Sequence, residues 1–305
     1  MTIGSSKKTI LTLGTFDGVH IGHRKILEKV TQNTENETTE SLVLTFFPHP
    51  RMVLKGQSEV KLLNTIDEKI DLLKTLGVQN LVIHPFDEEF SKLSAEEFVK
   101  KVLVDRFHIQ KIIIGHDHRF GRNRTANIDD LIAFGEQYNF EVEQISVQEI
   151  KDVSISSTKI RNALTEGDMA LANEYLGYEY FLTGTVSKGK QLGRTIGFPT
   201  ANLQIEENDK LIPRKGVYVV KSIINQETVF GMMNIGFNPT VAGEKLSVEV
   251  HYFDFEADLY NQEIRVSILK YLRSEYKFDS VALLKEQLEK DKIAALTYIT
   301  DQLSK

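Results

Sequence analysis

The chain holds 305 residues, 41% hydrophobic, 26% charged and 9% aromatic, proportions that exclude a fibrous or intrinsically disordered protein. With 37 basic and 43 acidic residues the formal charge is −6, so no global positive field advertises nucleic acid or an anionic membrane as a partner, and any phosphate site has to be local. The absence of cysteine excludes a disulfide framework, a cysteine zinc site, an iron–sulfur cluster and a thiol nucleophile, and fits a reducing cytoplasm.

At roughly 150 residues per domain the length predicts two domains. The first apolar run, in MTIGSSKKTILTLG, ends at Gly14, far short of the roughly 20 residues a membrane span needs, so no signal peptide or anchor is expected. From Thr9 to about Phe140 short apolar runs alternate with amphipathic stretches: ILTLG and then Gly22 to Thr31, SLVLTFF and then Ile66 to Leu76, LVIHPF and then Ala95 to Phe107, KIIIG and then Ile128 to Tyr138. Capping boxes, Thr65 with Glu68 and Ser94 with Glu97, mark two helix starts. Such βα alternation with near-continuous apolar strands predicts a parallel sheet covered on both faces, with ligands at the carboxyl ends of its strands. After Leu176 the runs YFLTGTV, GVYVVKSII, TVFGMMNIG, LSVEVHYFDF and EIRVSILKYL take on period-two character, which predicts an antiparallel barrel or sandwich, and a helical tail runs from Ser280 to Leu303. The boundary falls at LGYEYF, giving domains 1–178 and 179–305.

Directly after the first strand comes Gly14-Thr15-Phe16-Asp17-Gly18-Val19-His20-Ile21-Gly22-His23, leading into a helix. Glycines let backbone approach a ligand, and a helix N-terminus offers unpaired N–H groups and partial positive charge to phosphate. His20 and His23 are placed to donate to phosphate oxygens where charge develops. The segment has no nucleophile, which suits direct attack by a bound phosphate on the α-phosphorus of a nucleotide, with pyrophosphate leaving. An isolated H-x-x-H reads as two solvated histidines; here strand, glycines and helix agree, and H-x-G-H resembles the signature of the nucleotidylyl-transferase superfamily. A metal pair lacks a third ligand at convincing spacing. Ile155-Ser156-Ser157-Thr158-Lys159-Ile160-Arg161 resembles that superfamily's second motif, its hydroxyls opening a helix and its basic residues suited to a triphosphate.

A third segment, GTVSKGKQLGRTIGFPTANL, nearly spells a P-loop, but Gln191 stands where a magnesium-binding hydroxyl belongs and no helix is expected after it, so that reading is rejected. Gly189, Gly193 and Gly197 suit a loop that covers phosphate, closed by Pro199-Thr200-Ala201-Asn202, whose hydroxyl and amide are hard oxygen ligands for Mg²⁺.

With these motifs in place the chain resembles the bifunctional bacterial riboflavin kinase/FAD synthetase family: GTFDGVHIGH, TFFPHP, GHDHRFG and ISSTKIR match its adenylyltransferase half, and GRTIGFPTANL, GVYVV, NIGFNPTV, VEVHYFDF and LRSEYKF its kinase half. The resemblance implies a Rossmann-like first domain that makes FAD from FMN and ATP, and a six-stranded antiparallel β-barrel with a C-terminal helix that phosphorylates riboflavin with ATP and Mg²⁺. It implies nucleotide contacts at Gly14, Phe16, Gly18, Gly22, Ser156, Ser157, Thr158, Arg161, Gly189, Gly193 and Gly197, phosphate-binding histidines at His20 and His23, and metal and phosphate ligands at Thr200 and Asn202. It makes Glu249 the kinase base, whereas alternation alone makes Glu249 an outward strand residue. Asp117, Arg119 and Arg273 are implied near flavin. His118, where an aromatic is usual, and Phe47, where an acidic residue is common, depart from the pattern and imply altered packing around FMN or adenine. Two other readings stay open. One is a class I aminoacyl-tRNA-synthetase-like enzyme, which shares H-x-G-H, although the chain lacks a KMSKS-like run and a basic face. The other is a flavin- or nucleotide-binding regulator without turnover.

Overall fold

Apolar strands that alternate with amphipathic helices can bury both faces of a sheet, and the first half of the chain is built this way. The computed structural model describes residues 8–32, 39–54, 60–116, 118–146, 155–189, 192–240 and 243–304. Contacts divide the chain into two units, Met1–Ser157 and Thr158–Lys305. The first unit runs β1 (Lys8–Leu13), α1 (Ile21–Gln32), β2 (Thr39–Phe47), α2 (Pro50–Val53), α3 (Ile66–Thr75), β3 (Asn80–Pro85), α4 (Glu88–Ser91), α5 (Ala95–Phe98), β4 (Ile109–Gly115), α6 (Ile128–Tyr138) and β5 (Glu141–Ile145). The five strands pair in parallel in the order β3-β2-β1-β4-β5. Because the chain leaves β1 toward β2 and later returns to β4 on its other side, the topological switch point lies between β1 and β4, at the turn that carries the histidines.

Both expected capping boxes form: Thr65 Oγ1 accepts from Glu68 N at 3.1 Å and Ser94 Oγ from Glu97 N at 3.1 Å, with each carboxylate returning to the cap N–H. The stretch expected to be helical from Ala95 to Phe107 is helical from Ala95 to Val104 and stops three residues short of the expected end. After α5 the chain widens to π-helical bonding over Val99–Val104, with Asp105 N donating to Lys100 O at 2.9 Å. The wider turn brings Phe98, Val99, Val102 and Leu103 all into the core. The edge strand β5 carries mostly polar residues, EVEQI, and therefore left no apolar run to read.

The second unit follows with α7 (Ser157–Glu166, starting on the last residue of the first unit), α8 (Met169–Leu176), β6 (Phe181–Ser187), α9 (Leu192–Thr195), β7 (Ala201–Gln204), β8 (Gly216–Ile224), β9 (Glu227–Thr240), β10 (Gly243–Tyr252), β11 (Glu263–Arg273) and α10 (Val281–Leu303). The strands close into an antiparallel barrel ordered β10-β7-β6-β11-β8-β9, which leaves no edge to pair with another chain. Period two shows in β11, where Ile264, Val266 and Ile268 are buried. In β8 the apolar run is continuous because Val217 and Val219 pack with Ala295 and Ile299 of α10. The helical tail expected from Ser280 to Leu303 forms as α10, with Ser280 as its cap, accepting from Leu283 N at 3.2 Å. The one-turn α9 stands where no helix was expected after the P-loop-like segment.

α7 and α8 belong physically to the barrel. Arg214 N donates to Leu164 O at 3.0 Å, Asn173 Nδ2 to Ile268 O at 2.9 Å, and Tyr180 N to Asn173 Oδ1 at 2.7 Å, while Ile160, Leu164, Met169, Ala172 and Leu176 are buried. Each large apolar side chain so buried is worth about 1.5–3 kcal/mol. A fragment 158–305 is therefore expected to fold and one starting at Glu179 to melt at much lower temperature; circular dichroism melts of the two fragments check this, and equal melting temperatures would contradict it.

Candidate functional sites

The turn between β1 and α1 is held in a costly backbone conformation. Phe16 (φ 45°) and Val19 (φ 38°) sit in the left-handed region without being glycine, and Gly18 (φ 89°) supplies the one position where that costs nothing. Side chains from distant segments hold it there. Lys69 Nζ and Thr45 Oγ1 both donate to Thr15 O, at 2.8 and 3.2 Å, Leu63 N donates to Asp17 Oδ1 at 2.9 Å, and Ser157 Oγ donates to Asp17 O at 2.8 Å. The last bond brings the start of the ISSTKIR segment to the first turn, so Ser157 and the H-x-G-H segment, far apart in sequence, meet in space. Gly14 N donates to Leu44 O at 3.1 Å, and Gly22 lies against the His20 ring.

The rings of His20 and His23 stack with centroids 3.6 Å apart and planes 17° from parallel. His20 is buried; His23 is half-buried as a residue, but its Nδ1 is buried and has no hydrogen-bond partner among the described residues. Burial, then His20, then Lys69 push the His23 imidazole well below its ordinary 6.5, so it stays neutral at physiological pH and offers one N–H with its second nitrogen uncharged. In the unfolded chain the same ring protonates near the ordinary value. Between the two values the unfolded state binds more protons, so stability of the first unit falls as pH drops below about 6.5. Thermal melts from pH 8 to pH 5 are expected to show this loss in the wild type and a shallower one in His23→Gln.

Ser156 is half-buried, Thr158 and Lys159 are exposed and Arg161 is half-buried on α7. Phe47 ends β2 40% exposed, and the His118 ring lies 6.1 Å from Phe120, stacked at 18°. Arg119 is exposed, and Asp117 lies outside the described residues. Arg273 spends its donors on Asp291, a buried carboxylate of α10, at 2.6, 2.9 and 3.1 Å, and on Ser274 O at 3.0 Å, and its guanidinium stacks over Tyr276 at 4.6 Å. It ties β11 to α10.

In the barrel, strand register assembles a polar row. Ser187 pairs with Asn202, Asn202 with Glu249 and Glu249 with Asn234, so one residue from each of β6, β7, β10 and β9 shares a face, opposite the buried Val248 and Val250. The Glu249 carboxylate accepts from Ser247 Oγ at 2.8 Å and from Thr200 Oγ1 at 3.3 Å. A Cβ on Gly189 would overlap the Asn202 amide, so only glycine lets the loop after β6 come this close. A Cβ on Gly193 would likewise strike the Phe198 carbonyl, and Gly197 takes φ 90°. Sequence reading missed Ser247, Asn234 and His251. The last is buried and its Nδ1 lies 2.8 Å from Pro199 O, holding the turn that presents Thr200. Period two in β10, which puts Ser247, Glu249 and His251 on one face, was the signal that could have found two of them.

A parallel sheet with a histidine-bearing glycine turn at its switch point, in one chain with a closed barrel that gathers a carboxylate, a hydroxyl and an amide, defines a two-module transferase acting on phosphate groups. The FAD synthetase family model matches residues 3–159 and the riboflavin kinase model residues 176–299. The proteins named bifunctional riboflavin kinase/FMN adenylyltransferase from Listeria monocytogenes, Bacillus subtilis and Escherichia coli K12 are 40%, 38% and 35% identical, covering 92%, 96% and 94% of this chain and 90%, 93% and 91% of their own. A solved structure titled macrolide-efflux protein from Streptococcus pneumoniae superposes with a TM-score of 0.85 at 31% identity, covering 96% of this chain and 95% of that one. That title speaks of the streptococcal protein alone; among the described residues here no helix is long and apolar enough to cross a membrane. The chain belongs to the bifunctional riboflavin kinase/FMN adenylyltransferase family. The resemblance read from the motifs is borne out, together with the α/β-plus-barrel fold and the two transferase activities of the enzyme.

Proposed function

We propose that the polar row of the barrel performs riboflavin phosphorylation and that the histidine turn performs FMN adenylylation, with the activities divided at 1–178 and 179–305 and with α7 and α8 supporting the second. The observation that carries the kinase assignment is the register that sets Glu249 beside Asn202 and its bond with Thr200. The carboxylate accepts the proton of the ribityl 5′-hydroxyl as that oxygen attacks the γ-phosphorus of ATP; the bond to the bridging oxygen breaks and ADP leaves with FMN formed. The Thr200 hydroxyl and Asn202 amide fit Mg²⁺ as neutral hard oxygens, and the hydroxyl, donating its proton to Glu249, keeps its lone pairs for a cation. Bound there with the nucleotide, Mg²⁺ supplies neutralisation of phosphate charge. Gly189, Gly193 and Gly197 let the covering loop approach those phosphates.

In the first unit a phosphate oxygen of FMN attacks the α-phosphorus of a second ATP and pyrophosphate leaves, so no protein nucleophile is needed. The N-terminus of α1 and the backbone of Gly14, Phe16, Gly18 and Gly22 receive phosphate, and His20 and His23 donate to the oxygens that gain charge. The His23 Nδ1, buried without a hydrogen-bond partner among the described residues, supports this, because such an atom suits a ligand position. Ser157 joins this turn by its bond to Asp17; Ser156 beside it and Thr158 and Arg161 on the helix enter by resemblance, as Asp117 and Arg119 do for flavin. Arg273 acts on flavin through the segment that its pairing with Asp291 holds. A cytoplasmic location belongs to the same reading, supported by ATP as donor and the cysteine-free chain. Incubating the full chain with riboflavin, ATP and Mg²⁺ and separating the flavins by chromatography tests it: FMN and then FAD accumulate, whereas bound but unchanged riboflavin would favour a regulator.

A further inference from the structure

Lys69 is a buried lysine with little to pay for its burial. It lies on α3, is 5% exposed, and its ammonium makes one hydrogen bond among the described residues, to Thr15 O at 2.8 Å. Asp17 is the acidic group whose charge it feels, and that carboxylate is engaged by Leu63 N at 2.9 Å. Burying an ammonium is unfavourable unless its charge and protons are matched. One backbone carbonyl matches a single proton of three, so the fold retains an incompletely compensated cation beside the turn of Phe16 and Val19, whose positive φ values are themselves a cost. Two unfavourable features at one place, in a protein that could have used leucine and alanine, point to function rather than stability.

We propose that Lys69 is a positioning residue for adenylyl transfer: its ammonium pins the Thr15 carbonyl, and with it the turn bearing His20 and His23, and its buried charge favours the negative charge that gathers on the departing pyrophosphate. This rests on the assignment of adenylyl transfer to that turn. A charge in a poorly solvated place acts over a longer reach than one in water, so Lys69 works without touching the nucleotide. Since the negative charge on the leaving group grows toward the transition state, the effect falls on kcat more than on KM.

Three variants of the full chain separate the contributions: Lys69→Arg keeps charge and donor, Lys69→Gln keeps a donor for Thr15 O without charge, and Lys69→Met keeps neither. Lys69→Gln and Lys69→Met are expected to lower kcat for FAD formation by about 10-fold or more with KM for ATP and FMN nearly unchanged, and Lys69→Arg to recover most of that loss. Riboflavin phosphorylation by the same variants stays at the wild-type rate. FAD formation by Lys69→Gln at the wild-type rate, or Lys69→Arg as slow as Lys69→Gln, overturns the proposal. Should Lys69→Met melt the first unit, the Arg and Gln pair decides alone. His20→Ala, run in parallel, separates the two levels. If His20→Ala is unimpaired, the turn is not the adenylyl site and the proposal falls with it; if His20→Ala is impaired and Lys69→Gln is not, only the lysine proposal fails.

Discussion

Glu249→Gln is expected to lower kcat for riboflavin phosphorylation by about 10²–10⁴-fold, the usual contribution of a positioned general base, while FMN adenylylation by the same molecule continues at the wild-type rate. Glutamine keeps the shape of the side chain and its carbonyl still accepts from Ser247 and Thr200, which bond the carboxylate in the wild type at 2.8 and 3.3 Å, so the strand and its neighbours stay in place. What it loses is the ability to take the hydroxyl proton. Thr200→Ala and Asn202→Ala behave differently: removing a ligand for phosphate or cation raises the requirement for ATP or Mg²⁺, whereas removing the base depresses turnover at saturation. Steady-state kinetics of the three variants with riboflavin, ATP and Mg²⁺ varied in turn make the distinction. A near-normal kcat in Glu249→Gln would take Glu249 out of the chemistry.

His20→Ala and His23→Ala are each expected to reduce FAD formation by about 10²-fold or more, the scale for removing one preorganised donor, with riboflavin phosphorylation untouched. Because the rings stack at 3.6 Å, each orients the other, and the double variant should lose less than the product of the two single effects. Pyrophosphate release from ATP and FMN, measured alongside FMN formation from riboflavin, tests both statements. Equal loss of the two activities in a folded variant would make the histidines structural.

The β1–β4 alternation with its helices, the five long strands of the second half, the capping boxes at Thr65 and Ser94, the H-x-G-H turn after the first strand and the Gly-rich segment before Thr200 were legible from the sequence, because each is a local pattern: apolar periodicity, a cap three residues from its carboxylate, or glycines at fixed spacing. Composition and the absence of cysteine narrowed the chemistry further. Local pattern could not reach what depends on register and long-range packing. Whether the second half closes as a barrel or opens as a sandwich is set by which strands pair, and the same pairing carries Ser187, Asn202, Glu249 and Asn234 onto one face; by alternation alone Glu249 was a surface residue. The attachment of α7 and α8 to the barrel rests on bonds from Leu164 and Asn173 to residues 50 and 95 positions away in the chain. Lys69 lies inside the amphipathic stretch from Ile66 to Leu76 and was not singled out there; only folding shows it buried with its ammonium on Thr15 O, because a contact 54 residues apart leaves no trace in local spacing.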